Sequence, residues 1–181
     1  MLTAAVTFSN LLTPLRTGAD HLEGKQRATG APEHVLCGID VYKTAVTEVI
    51  KAYGEPTEKR DIPAVGLKDG VGGERNYTWV KVGLRLAVWT GYHNDHESSV
   101  YGVDVWGPAP QGELGKSGRG LALGSTLQQQ KAICGDRFFV SSRDKGKVKS
   151  VLLEWRDGTQ LVADYDPDGH ISHMQLSADI E

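Results

Sequence analysis

Apolar residues recur along this chain with two periods, and the order of those periods predicts its elements. Tyr42, Val46, Val49, Ile50 and Tyr53 fall at i, i+4, i+7, i+8 and i+11, one stripe of an amphipathic helix. Asp40 or Thr44 is placed to cap its start by accepting backbone N–H bonds. Gly54 suits the left-handed conformation that ends a helix, and Pro56 cannot continue one. Residues 55–74 are polar and glycine-rich and predict a long loop. The period then drops to two. Segments 76–82 and 84–89 flank Gly83 as a hairpin, with Leu84, Leu86 and Val88 alternating with Arg85, Ala87 and Trp89. In 100–106, Tyr101, Val103 and Val105 alternate with Gly102, Asp104 and Trp106. One sheet face is therefore aliphatic and expected to pack on the helix. The hairpin register, and with it the face taken by Tyr77 and Trp79, stays open.

A weaker copy of this order follows. Ser125, Thr126, Leu127 and Gln128 read as a capping box that opens a second helix, which Gly135 ends as Gly54 ends the first. Gln130 and Lys131 stand where the first helix has Val49 and Ile50, so the second apolar stripe is thinner. Strands are expected at 148–155, 159–165 and 170–176, with a short one at 138–140. The turns between them, Asp157-Gly158 and Asp166-Pro167-Asp168-Gly169, carry hairpin chemistry because glycine supplies positive φ. The expected fold is α+β: two repeated units, each a short helical segment followed by an antiparallel three- to four-stranded β-meander. The division is 1–36 as an N-terminal arm (flexible, docked at an edge, or a remnant presequence), 37–107 as the first repeat, 108–118 as a linker, and 119–181 as the second repeat. The linker holds two prolines and three glycines.

A short helix, Gly-x-Pro, a Trp-bearing hairpin and a third strand together resemble the small outer-membrane assembly lipoproteins of the SmpA/OmlA (BamE) type. In tandem they resemble the β-lactamase inhibitor protein and its relatives. The residues that carry this are Thr44 to Pro56, Tyr77-Thr78-Trp79 with Leu84-Arg85-Leu86, and 100–105. In the second half they are Leu123-Gly124-Ser125, Gly135, Leu152-Leu153 with Trp155, and Asp168-Gly169-His170-Ile171 with Met174 and Leu176. The chain departs from both groups. The inhibitor has a disulfide inside each repeat, whereas each half here has one cysteine, and no acylated N-terminal cysteine is supported. The resemblance implies a secreted or periplasmic chain, and for the tandem case an inhibitor of an extracellular hydrolase, a β-lactamase or a protease. Such folds host unrelated functions, so site chemistry has to decide.

Composition removes several classes. A net charge of −3 with a pI near 6.1 excludes a general nucleic-acid or anionic-membrane binder. No apolar run reaches the roughly 18 residues of a membrane-spanning helix. Residues 1–12 lack the positive start of a secretory signal. Cys37 and Cys134 show no metal spacing. They are either two buried thiols or a disulfide closing a loop of roughly 100 residues, worth about 4–5 kcal/mol.

Candidate chemistry is thin. Residues 164–169 match the first half of a calcium loop, but Gln175 stands where a bidentate carboxylate belongs, and a hairpin turn is the simpler reading. His93, Asn94, Asp95, His96 and Glu97 cluster as metal donors with no further ligand to complete a site. Ser141, Ser142 and Asp144 have no orienting histidine, and the glycines of 118–124 lack a Walker lysine. No enzyme, cofactor or metal is therefore expected. The remaining feature is aromatic: Trp79, Trp89, Trp106 and Trp155 with several tyrosines. By strand parity, Arg85, Trp89, Asp104 and Trp106 share the solvent face of the sheet, and aromatics beside charges suit a protein interface. The expected function is a non-enzymatic protein-binding module of the cell envelope or secreted space. The alternatives are a hydrolase inhibitor and a metal-dependent module on the His93/His96 loop.

Overall fold

The computed structural model describes residues 27–63, 73–89, 100–107 and 115–178. A two-stranded hairpin, β1 (Val35–Leu36) with β2 (Ile39–Asp40), precedes helix α1 (Val46–Tyr53). Strands β3 (Glu58–Pro63), β4 (Gly73–Trp79), β5 (Leu84–Trp89) and β6 (Val100–Trp106) follow. Then come helix α2 (Leu127–Cys134) and strands β7 (Phe139–Asp144), β8 (Lys147–Glu154), β9 (Gln160–Tyr165) and β10 (Ile171–Ser177).

β3 to β10 form one eight-stranded antiparallel sheet in the order β3-β4-β5-β6-β10-β9-β8-β7. The expected α+β fold of two repeated helix-and-meander units is corrected here. Among the described residues the chain is mostly β, with two eight-residue helices set against one large sheet. The cause lies at the seam. β6 and β10 pair from Trp106↔His173 to Gly102↔Ser177. Left apart, each would be an edge strand with a row of unpaired N–H and C=O groups. Joined, they let one core run beneath the whole sheet, so that Leu84, Leu86, Val103 and Val105 share a cluster with Leu153, Leu161, Met174 and Leu176.

Both helices lie on that aliphatic face. Trp79 on β4 donates its indole N–H to the Gly54 carbonyl at the end of α1 (2.9 Å), and Tyr53 meets the Trp79 ring edge to face. Tyr165 on β9 donates its hydroxyl to Gln130 Oε1 on α2. The open register of the first hairpin is thus settled: Tyr77 pairs with Leu86 and Trp79 with Leu84, on the core side. Cys37 and Cys134 are buried free thiols, each pushed up to about 11 by burial, so neither is a reactive thiolate near neutral pH.

Local differences from the sequence reading have local causes. The expected loop 55–74 contains β3, an edge strand of charged residues that pairs only with β4. The capping box of α2 sits one residue later than expected: Thr126 Oγ1 accepts from Gln129 N (3.3 Å) and Gln129 Oε1 accepts from Thr126 N (2.8 Å). Ser125 Oγ instead accepts from Ala122 N (3.1 Å). Helix α1 has no side-chain cap, because its N-cap is Ala45; Thr44 Oγ1 instead accepts from Asp40 N and Asp40 Oδ1 from Tyr42 N. Of the N-terminal arm, residues 27–36 are described and packed. Ala28 N donates to Glu154 O (2.7 Å), and buried Glu33 accepts from Val35 N and Arg119 N. Residues 108–114 of the expected linker lie outside the described residues, while Gly118 N donates to Val35 O (2.8 Å).

Candidate protein-binding face

With the helices on one side, the second face of the sheet carries no helix among the described residues. Strand pairing sets what it displays. One cross-strand row runs through all eight strands: Glu58, Thr78, Arg85, Asp104, Gln175, Val162, Leu152 and Phe139. It is polar at the β3 end and apolar at the β7 end, where Phe139 is 43% exposed. A neighbouring row runs Trp106, His173, Asp164, Ser150 and Ser142.

Bulges in three strand pairs, β5–β6, β9–β10 and β7–β8, bring these rows into place. Between β5 and β6 the register shifts so that Ala87 meets Gly102 while Val88 meets Val100. Tyr101 is the extra residue, and its hydroxyl donates to Glu74 Oε2. Val100, Val103 and Val105 all stay buried, so the simple alternation expected through Tyr101 breaks there. A second shift between Ile171 and His173 leaves Ile171 in the core while His173 stands with the polar rows.

The centre of the face is a charge cluster. Arg85 Nε donates to Asp104 Oδ2 at 3.1 Å, and His173 Nε2 lies 3.3 Å from Asp104 Oδ1. His173 Nδ1 lies 2.8 Å from Asp164 Oδ2. The Asp104 side chain is 1% exposed beneath these partners. Burial alone would drive the proton off His173, but its hydrogen bonds to Asp104 and Asp164 reverse this and lift its pKa to about 9. Burial opposes ionisation of Asp164 too, and the bonds from His173 and Ser150 outweigh it, so its pKa is lowered. Near neutral pH His173 therefore carries a proton on both ring nitrogens and holds the two aspartates together.

The stability consequence has a definite sign. The folded chain binds the His173 proton more tightly than the unfolded chain, whose imidazole titrates near 6.5. The contribution is complete below pH ~6.5 and lost as pH rises towards about 9, amounting to no more than about 3 kcal/mol. Urea denaturation between pH 6 and 9.5 is expected to show this decline, and His173→Gln to remove it. An unchanged slope in the variant would refute the assignment.

The expected site residues can now be placed. Arg85 and Asp104 face each other directly, and Trp106 is two residues from Asp104 and opposite His173. Trp89 lies at the far end of β5, opposite Glu74 and about 13 Å along the strand from Arg85. Both tryptophans are half-buried. His173, Asp164, Val162, Leu152 and Phe139 are not among the protein-binding residues expected from sequence. The run Val151-Leu152-Leu153, apolar on both faces of one strand, was the available signal for the apolar end. His93 and His96 lie outside the described residues. In the 164–169 turn, Asp166 Oδ1 accepts from Asp168 N and His170 N and Asp164 bonds His173, so these carboxylates serve the hairpin and the face. Among the described residues no group of three or more His, Cys, Asp or Glu side chains is arranged to hold a metal. No helix among them is long and apolar enough to cross a membrane.

No protein-family model and no curated protein matches the chain. Two solved structures are similar to it. A DUF4309 family protein (YjgB) from Bacillus subtilis has 19% identity, over 78% of this chain and 83% of its own, with a TM-score of 0.40. A protein described as a "putative beta-lactamase inhibitor protein" from Streptococcus mutans has 12% identity, over 82% of this chain and 92% of its own, with a TM-score of 0.30. Neither is an outer-membrane assembly lipoprotein, and at those TM-scores neither transfers a fold or a function to this chain.

Proposed function

We propose that this chain is a non-enzymatic protein-binding module of the cell envelope or secreted space that grips its partner with the face of the eight-stranded sheet opposite its two described helices. The observation that carries this reading is the cross-strand row from Arg85 and Asp104 to Phe139, flanked by Trp89 and Trp106. Its charged centre is fixed by hydrogen bonds before any partner arrives, which lowers the ordering cost of association. Half-buried tryptophans beside an arginine are the residue types that anchor interfaces.

The test is capture from envelope or secreted extract, followed by titration of the identified partner in purified form. Trp106→Ala and Trp89→Ala together are expected to weaken that binding by roughly 2 kcal/mol or more, about 30-fold, with folding retained. Affinity unchanged in the double variant, or no partner in either extract, would overturn the reading. A hydrolase as the captured partner would make the same face an inhibitory one, which a panel of β-lactamases and proteases would then read as loss of activity.

A further inference from the structure

Away from the sheet face, the packed end of the N-terminal arm lines an open cleft of about 380 Å³ against the α2–β7 and β8–β9 turns. Arg27, Arg137 and Arg156 line it, with Ala28, Thr29, Gly30 and Pro32 between them. Three guanidinium groups around one cleft stand out in a chain whose net charge is −3. One of them is already balanced: Arg27 Nε lies 3.4 Å from Oε1 of the fully buried Glu154 and is itself buried without a hydrogen bond. Arg137 and Arg156 are exposed and make no ion pair or hydrogen bond with a described residue. A fourth guanidinium, that of Arg119, approaches Gly30 and donates to Ala31 O (3.4 Å). Of the nearby acids, Glu33 accepts from Val35 N and Arg119 N and Asp157 holds His34 at 2.7 Å, while Asp136, next to Arg137 in the chain, is exposed.

We propose that this cleft binds a phosphate monoester carried on a small organic body. The charge balance selects the group. Arg137 and Arg156 are the two lining guanidinium groups that make no ion pair with a described residue, and a phosphate monoester, at about −1.5 to −2 near pH 7, can pair with both. A lone carboxylate would match only one of the two guanidinium forks, whereas the oxygens of a phosphate accept from both. The volume selects the body: small-molecule sites occupy roughly 300–1,000 Å³, far more than a bare phosphate fills. Thr29 adds a hydroxyl, and Ala28 supplies apolar wall.

The test is calorimetric titration of the full chain at low ionic strength with glucose 6-phosphate, inorganic phosphate and glucose. Saturable binding of glucose 6-phosphate and none of glucose is expected. Arg137→Ala with Arg156→Ala should weaken it by about tenfold or more, while Lys149→Ala, an exposed cation elsewhere, leaves it unchanged. Arg137→Lys with Arg156→Lys keeps the charge without the fork and should lie between wild type and the double alanine variant. Both arginines are exposed, so these variants should melt as the wild type does. Tighter binding of the sugar phosphate than of inorganic phosphate supports the monoester, and equal binding assigns the site to the free ion instead. No saturable binding of either, or binding indifferent to the double alanine variant, overturns the proposal.

Discussion

Asp104→Ala is expected to destabilise the folded chain by about 3–5 kcal/mol, a large part of the 5–15 kcal/mol typical of a whole domain. The side chain is 1% exposed and accepts from two cationic partners on different strands, Arg85 of β5 and His173 of β10. Removing it takes a buried acceptor from both and one of the counter-charges that offset their desolvation. His173 would keep Asp164 alone, so its pKa should fall back from about 9, and the pH-dependent part of the stability should move to lower pH. Two measurements check this together: urea midpoints of Asp104→Ala at pH 6 and pH 9, and a cycle that pairs Asp104→Ala with His173→Ala. Within one network the double variant should cost less than the sum of the single ones by about 0.5–3 kcal/mol. Strict additivity would mean that the cluster is not a unit.

That cluster was only half legible in the sequence. Arg85 and Asp104 fell on one face by counting alternate residues along two strands, and pairing puts them opposite each other. His173 could not be found in that way. The bulge after Ile171 puts Ile171 and His173 on opposite faces although they are two positions apart, and bulges leave no pattern in a string of residues. Nor did anything in the chain announce that β6 and β10 would pair, since that contact is made by backbone groups common to every residue. Two separate meanders and one continuous sheet demand the same alternation, and that is why the repeated-unit reading failed although the strands at 84–89, 100–106, 147–154, 160–165 and 171–177 lie within a residue of where they were expected, whereas the strand expected at 76–82 runs 73–79. β3 was hidden for a different reason. As an edge strand it packs little, so Glu58, Lys59, Arg60 and Asp61 are free to be polar. Glycine punctuation was the most readable layer: Gly54 and Gly135 end their helices with φ of 78° and 90°, as their positions after each apolar stripe required.

Gly83→Ala is the second large effect, and it joins the hairpin turn to the binding face. Gly83 has φ +70°, and a Cβ placed there would lie 2.1 Å from the Trp106 carbonyl oxygen and 3.2 Å from its carbonyl carbon. The left-handed conformation alone costs a residue with a side chain about 1–2 kcal/mol. The collision is with backbone, so no rotamer relieves it. The end of β6 has to move, at a further cost of about 1–3 kcal/mol, and the 2.9 Å bond from Trp106 N to Gly83 O goes with it. Gly169→Ala is the matched control: it too has positive φ, +87°, but a Cβ there meets nothing within 4 Å. Thermal and urea unfolding should therefore rank Gly83→Ala as the more costly by the steric part alone. Equal losses would show that the strand end yields freely. If they differ as expected, the folded fraction of Gly83→Ala should also bind the proposed partner more weakly, because the residue displaced by the added methyl is Trp106.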